Sequence, residues 1–353
     1  MENTSKQIKE RNTLGLINTY RSAIMGFAAI MVLLHHEWLA ITPEGTILFQ
    51  IENYIHYTGF LGVDIFLLLS GMGLYYAIQK HDIKTFYKRR FIRIVPAYLI
   101  VAIVIALIDD WSLGKFVCNI TGINFYTKST FSFLWYAIAM MQLYIVFPLY
   151  YKFFNKAKSK SRFTAIAILV WIIFVLVFVN LERTDLLTFT NRIPVFLIGI
   201  LFGWMERNEK VQLNKFDWVL CFIVMIIGLF LEFVIILAGS WGILHAIGTG
   251  LPALLVCIPL VLILAKSFEL MSTYLKRFSN VIIKPLTLLG TVSFEFYVVQ
   301  EWIGKRVQSA ACNAGYNNLI VNIVDHLAVC IACITLVYVC KPIIKLFSNE
   351  NKK

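Results

Sequence analysis

Phe216-Asp-Trp-Val-Leu-Cys-Phe-Ile-Val-Met-Ile-Ile-Gly-Leu-Phe-Leu-Glu-Phe-Val-Ile-Ile-Leu-Ala238 is an apolar run broken only by Asp217 at its start and Glu232 toward its end. About 20 such residues in a helix cross the hydrocarbon core of a bilayer. Nine further runs meet or approach that length, near 20–40, 55–79, 91–108, 132–151, 163–180, 191–205, 246–265, 285–303 and 319–340. Across 353 residues the chain is 59% hydrophobic and 15% charged, with a mean hydropathy of +0.75. Soluble domains average about 45–50% apolar and about 25% charged residues, so a water-soluble globular fold is excluded. The first run follows a polar stretch, Met1 to Asn18, has no small-residue cleavage site after it, and reads as a retained signal anchor.

The net charge of +12 suggests a nucleic-acid binder only until the cations are placed along the chain. Alternate connections between the runs take almost all of the Lys and Arg. Only Lys115, Lys128, Arg183, Arg192, Lys305 and Arg306 fall in the other set. So strong a bias puts the basic connections in the cytoplasm and requires an even number of spans. The expected architecture is an all-α polytopic membrane protein of about ten transmembrane helices with both termini cytoplasmic. Residues 1–19 form a cytoplasmic segment, 20–340 the membrane domain and 341–353 a cytoplasmic tail. Seven cysteines scattered through apolar runs are no disulfide framework, although Cys118 and Cys312 could both lie outside and pair.

Ionisable groups at membrane depth are costly and point to function. His35, His36 and Glu37 lie toward the outer end of the first span. Glu232 lies in the outer third of the seventh, His245 opens the eighth from outside, and Gln300 and Glu301 end the ninth. Asp64 and Glu295 fall near mid-membrane. The bland readings are wetting of helix ends by the interface and structural pairing. Gly59, Gly62, Ser70, Gly71 and Gly73 around Asp64 permit close helix packing, which could bring a donor to it. In the ninth span Ser293, Tyr297, Gln300 and Glu301 share one helical face, directed at a bundle interior or watery cavity.

At the cytoplasmic mouth of the third span, Lys84-Thr-Phe-Tyr-Lys-Arg-Arg-Phe-Ile-Arg93 concentrates cations. The planar guanidinium fork of Arg89, Arg90 and Arg93 suits phosphate. A positive-inside anchor touching anionic headgroups is the alternative.

Taken in order, these stretches resemble the integral-membrane acyltransferase family 3, the bacterial sugar and glycan O-acyltransferases. Ile24-Met-Gly-Phe-Ala-Ala-Ile-Met-Val-Leu-Leu-His-His36 resembles its first helix, and Gly62-Val-Asp-Ile-Phe-Leu-Leu-Leu-Ser-Gly71 its second. Phe86-Tyr-Lys-Arg-Arg-Phe-Ile-Arg-Ile-Val-Pro96 resembles its basic entry to helix three. Leu134-Trp135 with Tyr144 and Pro148, and Leu289-Gly290 with Ser293, Tyr297 and Gln300, resemble later patterns. The chain departs from the family at Met25, where an Arg is usual and Arg21 stands one turn earlier. It departs again at Gln300, where a His is common.

The resemblance implies an O-acetyltransferase of the bacterial plasma membrane. It would move an acetyl group from cytoplasmic acetyl-CoA to a hydroxyl of a cell-surface polysaccharide or lipid-linked glycan. Acetyl-CoA is a donor and not a permanent cofactor, and neither a metal nor nucleic acid is implied. Arg90 and Arg93, with Arg89 and Lys88, would hold the CoA phosphates. His36, with His35 beside it, would act as general base or transient acyl carrier, and Asp64 would orient it or a helix. Ser293, Glu295, Tyr297, Gln300 and Glu301 are the candidate substrate contacts. The rival class is a transporter or flippase for a glycolipid or small solute, which would need no CoA.

Overall fold

Every regular element among the described residues is helical, as a chain without water to satisfy its backbone requires. The computed structural model describes residues 12–36, 39–109, 112–123, 126, 134–181, 186–238 and 250–349. Glu37 and His245 lie outside them. The helices are α1 (Thr13–Thr19), α2 (Arg21–His36), α3 (Ile47–Thr58), α4 (Leu61–Ile78), α5 (Ile83–Ile108), α6 (Leu113–Thr121), α7 (Trp135–Lys156) and α8 (Lys160–Asn180). They continue with α9 (Leu187–Thr190), α10 (Ile193–Asn208), α11 (Lys215–Ala238), α12 (Leu251–Tyr274), α13 (Lys276–Thr291), α14 (Ser293–Asn313) and α15 (Asn318–Asn349).

Eight segments are long and apolar enough to cross a membrane, and ten if the broken pairs α1–α2 and α13–α14 each count as one span. Eight of the expected runs are matched outright, those near 20–40 and 285–303 fall on the two broken pairs, and the chain is an all-α polytopic membrane protein. The break between α1 and α2 bends the chain by 71°. Asn12 caps α1, accepting from the Leu14 N–H at 3.1 Å while its amide donates to the Glu206 and Glu209 carbonyls. Leu14, Leu16 and Ile17 are buried, so a segment that reads as polar tail is packed structure from Asn12 onward. The second break falls in Gly290-Thr-Val-Ser293, a run poor in helix formers. The basic stretch is no loop: it forms the first turns of α5, capped by Asp82, whose carboxylate accepts from the Thr85 N–H at 3.1 Å. Bonds from Thr85 hold that carboxyl below its ordinary range.

The chain divides into two compact units. One comprises Met1–Ile30, Phe60–Tyr76 and Phe154–Thr291. Here α12 packs on α1, α11 and α13, and α10 packs on α8. Phe216, Ile223, Phe230 and Leu237 on α11 are exposed while Glu232 is fully buried, the pattern of a helix that shows lipid an apolar face and turns its acid inward. Helices α4 and α10 approach backbone to backbone: a Cβ on Gly71 would collide with the Phe196 carbonyl, and one on Gly199 with the Leu68 carbonyl. Further along, a Cβ on Gly203 would meet Tyr75 and the Met72 carbonyl, so the contacts advance together from Leu68–Gly199 to Met72–Gly203 and the two helices run parallel.

The other unit comprises Met31–Gly59, Ala77–Phe153 and Val292–Lys353. There α14 packs against α5 and α15, and α15 against α5. Gln308 on α14 donates to buried Asp325 on α15 at 2.8 Å. The chain after α2 is tied to α15 by Asn322, which accepts from the Leu39 N–H at 3.2 Å and donates to the Leu39 carbonyl at 2.8 Å. The described cysteines are all free, Cys118 and Cys312 included.

Candidate active site

Helix α14 carries the polar face expected of the ninth span, and the second unit gathers its partners around it. Glu295, in the first turn, is 3% exposed and receives both nitrogens of the Arg93 fork. The second bond, from Nη2 to Oε2, measures 3.0 Å. Such a fork-to-carboxylate pair is among the stronger charge-assisted arrangements. Six residues on, about 9 Å along the axis, Glu301 approaches His36, with Oε2 3.8 Å from Nε2. Its other oxygen, Oε1, accepts from Lys305 one turn later. Between the two acids, Tyr297 packs edge-on against Tyr136 at 4.9 Å between ring centroids. Ser293 is buried, and Gln300 is buried with neither amide atom hydrogen-bonded among the described residues.

The imidazole of His36 is oriented by its own helix. Nδ1 stands 3.0 Å from the Val32 carbonyl. A carbonyl only accepts, so Nδ1 carries the proton and Nε2 is the basic nitrogen of the neutral ring. The turn that holds it is fastened to α3 by a reciprocal pair. His35 Nδ1 donates to the His56 carbonyl at 3.1 Å, and His56 Nδ1 donates to the Leu34 carbonyl at 2.7 Å. A Cβ on Gly59 would strike the Met31 carbonyl, so the glycine lets α3 come close enough for both bonds. His35 thus sits edge-on to His36 at 5.0 Å and contributes to positioning. The side chain of His36 is 22% exposed and that of Glu301 16%, so both remain partly accessible.

The basic stretch is sorted by its neighbours. Arg93 engages Glu295. Arg89 is exposed and donates to His81 Nε2 at 3.0 Å, which fixes His81 as an acceptor there. Arg90 lies over the Phe86 ring, 5.9 Å from its centroid, and Phe86 stacks in turn on Phe147. Lys88 is half-buried. The four expected phosphate contacts therefore share one helical segment, and Arg93 has a carboxylate across its fork.

Asp64 belongs to the first unit, where its partner is Arg192: Oδ2 lies 3.6 Å from Nε, and Asp64 is 1% exposed. Arg192 also donates to the Thr188 carbonyl at 2.7 Å and lies over the Phe60 ring at 5.5 Å. Glu232, fully buried, adds its field to the same pair. Arg192 counts in the sequence as one of the few cations on the outer side, with nothing local to mark it as the acid's partner. Asp109, Trp302 and Arg306 likewise carry no local signal in the sequence, because their grouping joins the end of α5 to α14.

A model of an acyltransferase domain matches residues 23–342, nearly the whole chain. The chain belongs to acyltransferase family 3. No curated protein and no solved structure matches it. With its helices this makes it a multi-pass membrane acyltransferase, whose work requires an acyl donor, an acceptor and a bilayer. The acyltransferase has Met25 at the position where the family pattern has an Arg, and Arg21, one turn earlier, places its guanidinium against Gly73 in the first unit. Its Gln300, at the family's common His, has no hydrogen-bond partner among the described residues, and its amide cannot serve as a base.

Proposed function

We propose that this acyltransferase moves an acetyl group from cytoplasmic acetyl-CoA to a hydroxyl of a cell-surface polysaccharide or lipid-linked glycan, in a bacterial plasma membrane. The observation that supports this reading is the fixed tautomer of His36, whose basic Nε2 faces Glu301 in a partly open site of a family-3 acyltransferase. Nε2 takes the proton of the acceptor hydroxyl as its oxygen attacks the thioester carbonyl. The C–O bond forms, the C–S bond breaks, and the departing CoA thiolate takes that proton back, so His36 ends neutral. Glu301 sets a negative charge beside the imidazolium formed in between.

Lys88, Arg89 and Arg90 offer cations to the CoA phosphates at the Lys- and Arg-rich mouth of α5. Arg93 reaches a phosphate only by exchanging Glu295. The test uses the purified full chain in detergent with acetyl-CoA and glycans from the surface of its source cell, following free CoA thiol and the mass of the glycan. His36→Ala should lower both signals by about 10²–10⁴-fold. Ester formation at the unaltered rate in that variant, or none in the natural chain, overturns the reading.

A further inference from the structure

Beyond Glu301, the second unit opens a cleft of about 520 Å³ lined by Asp109, Glu301, Trp302, Lys305, Arg306, Ser309, Ala310 and Asn313. That volume lies within the range of about 300–1,000 Å³ usual for small-ligand pockets. By the distribution of Lys and Arg along the chain, it lies at the outer ends of α5 and α14. Its charges are matched in pairs: Lys305 with Glu301, and Arg306 with Asp109. Asp109 also accepts from the Trp302 indole N–H at 2.9 Å, and Arg306 lies over the same ring, 4.5 Å from its centroid. The cleft is therefore rich in fixed donors and acceptors yet carries no excess charge among the described residues.

Such a lining discriminates. A phosphate or carboxylate ligand would have to displace Asp109 or Glu301 from its cation and meet the freed acid. A neutral polyol meets no such penalty, because each hydroxyl both donates and accepts and can bridge a carboxylate and an ammonium that are already paired. Glu301 belongs both to this lining and to the surroundings of His36 Nε2, at 3.8 Å. A ligand in the cleft thus presents a hydroxyl one carboxylate away from the base.

We infer that the cleft formed by Asp109, Glu301, Trp302, Lys305 and Arg306 binds a neutral sugar unit of the acceptor and directs one of its hydroxyls toward His36. This deepens the reading of His36 as the acceptor's base and rests on it. The sugar is the shared chemistry of a free polysaccharide end and of a lipid-linked glycan.

The test is binding of the full chain in nanodiscs, without any acyl donor, to an array of neutral, uronate-containing and phosphorylated oligosaccharides. The neutral members that bind are then offered again in lipid-linked form. Neutral oligosaccharides should bind, at least tenfold more weakly to an Asp109→Asn, Arg306→Gln variant. They should also bind at least tenfold more weakly to Ala310→Trp, which fills the cleft from an exposed position and replaces no member of either ion pair. Tighter binding of the lipid-linked form, or equal binding of both, supports the cleft and names the source. Binding confined to anionic members, no neutral binding at all, or neutral binding unchanged in a folded Ala310→Trp overturns it. Adding acetyl-CoA separates the two readings. Binding without transfer overturns the proposed activity alone, and transfer that is insensitive to Ala310→Trp overturns the cleft alone.

Discussion

Glu301 divides its carboxylate between two partners: Oε2 stands 3.8 Å from His36 Nε2, and Oε1 accepts from Lys305. The acid at the base is thus held in place from the opposite side, and His36 is held from behind by the Val32 carbonyl. Neither residue needs to move for Nε2 to receive a proton.

Replacing His36 removes the proposed base, and the Nδ1 bond it forfeits is to the Val32 carbonyl of its own helix. His36→Ala should lower acyl transfer by about 10²–10⁴-fold with unchanged thermal unfolding in detergent. Product mass spectrometry and a melting curve on the same preparation check both halves.

Glu301→Gln keeps the size of the side chain and removes its charge. We expect kcat to fall about tenfold, worth about 1.4 kcal/mol, while KM for acetyl-CoA stays constant, since the residue is on the far side of the base from the basic stretch along α14. A change confined to the donor's KM would assign Glu301 to a different task.

Arg93 and Arg89 separate structural from binding cations. Arg93→Ala leaves Glu295 buried without its fork and should cost about 1–3 kcal/mol of stability, toward the low end because the Arg93 side chain is 43% exposed. Arg89→Ala, at an exposed position, should leave unfolding unchanged and weaken acetyl-CoA binding. Calorimetry with acetyl-CoA alongside a melting curve distinguishes the two; equal CoA affinity in Arg89→Ala would make this cation a topological anchor only.

In the first unit, Arg192→Ala strands Asp64 and Glu232 in an apolar surrounding. Loss of one partner from a buried pair costs about 3–5 kcal/mol. The double variant Arg192→Leu with Asp64→Asn should recover part of that loss, because it removes one of the two acids. A melting temperature for Arg192→Ala equal to that of the natural chain would show that the pair is not needed to hold the bundle.

Gly71→Ala tests how that pair is assembled. The added Cβ meets the Phe196 carbonyl, which is backbone and has no rotamer to yield. Overpacking of this kind costs about 1–3 kcal/mol, and lower thermal stability in detergent is the expected readout.

The ten apolar runs, their alternation of charge and the polar face on the ninth are all legible in the sequence, because hydropathy and helical period are local properties summed over a turn or a window. The same patterning, through its resemblance to a family, points to His36 and to the basic stretch of α5. The breaks are less legible. The one between α3 and α4 at Gly59 and the one between α13 and α14 at Val292 lie inside runs whose apolar content barely changes.

What tertiary structure alone decided is who faces whom. Asp64 and Gly71 are two helical turns apart, as are Arg192 and Gly199. Because α4 and α10 run parallel and touch at those glycines, the acid and the guanidinium meet. Glu295 finds Arg93, and Glu301 finds His36, across more than two hundred residues. Residue type specified that each buried charge needs a partner, since an uncompensated ion in an apolar bundle is expensive. The partner itself follows from helix packing, which depends on the shapes of surfaces far apart in the chain and leaves no periodicity in the sequence to read.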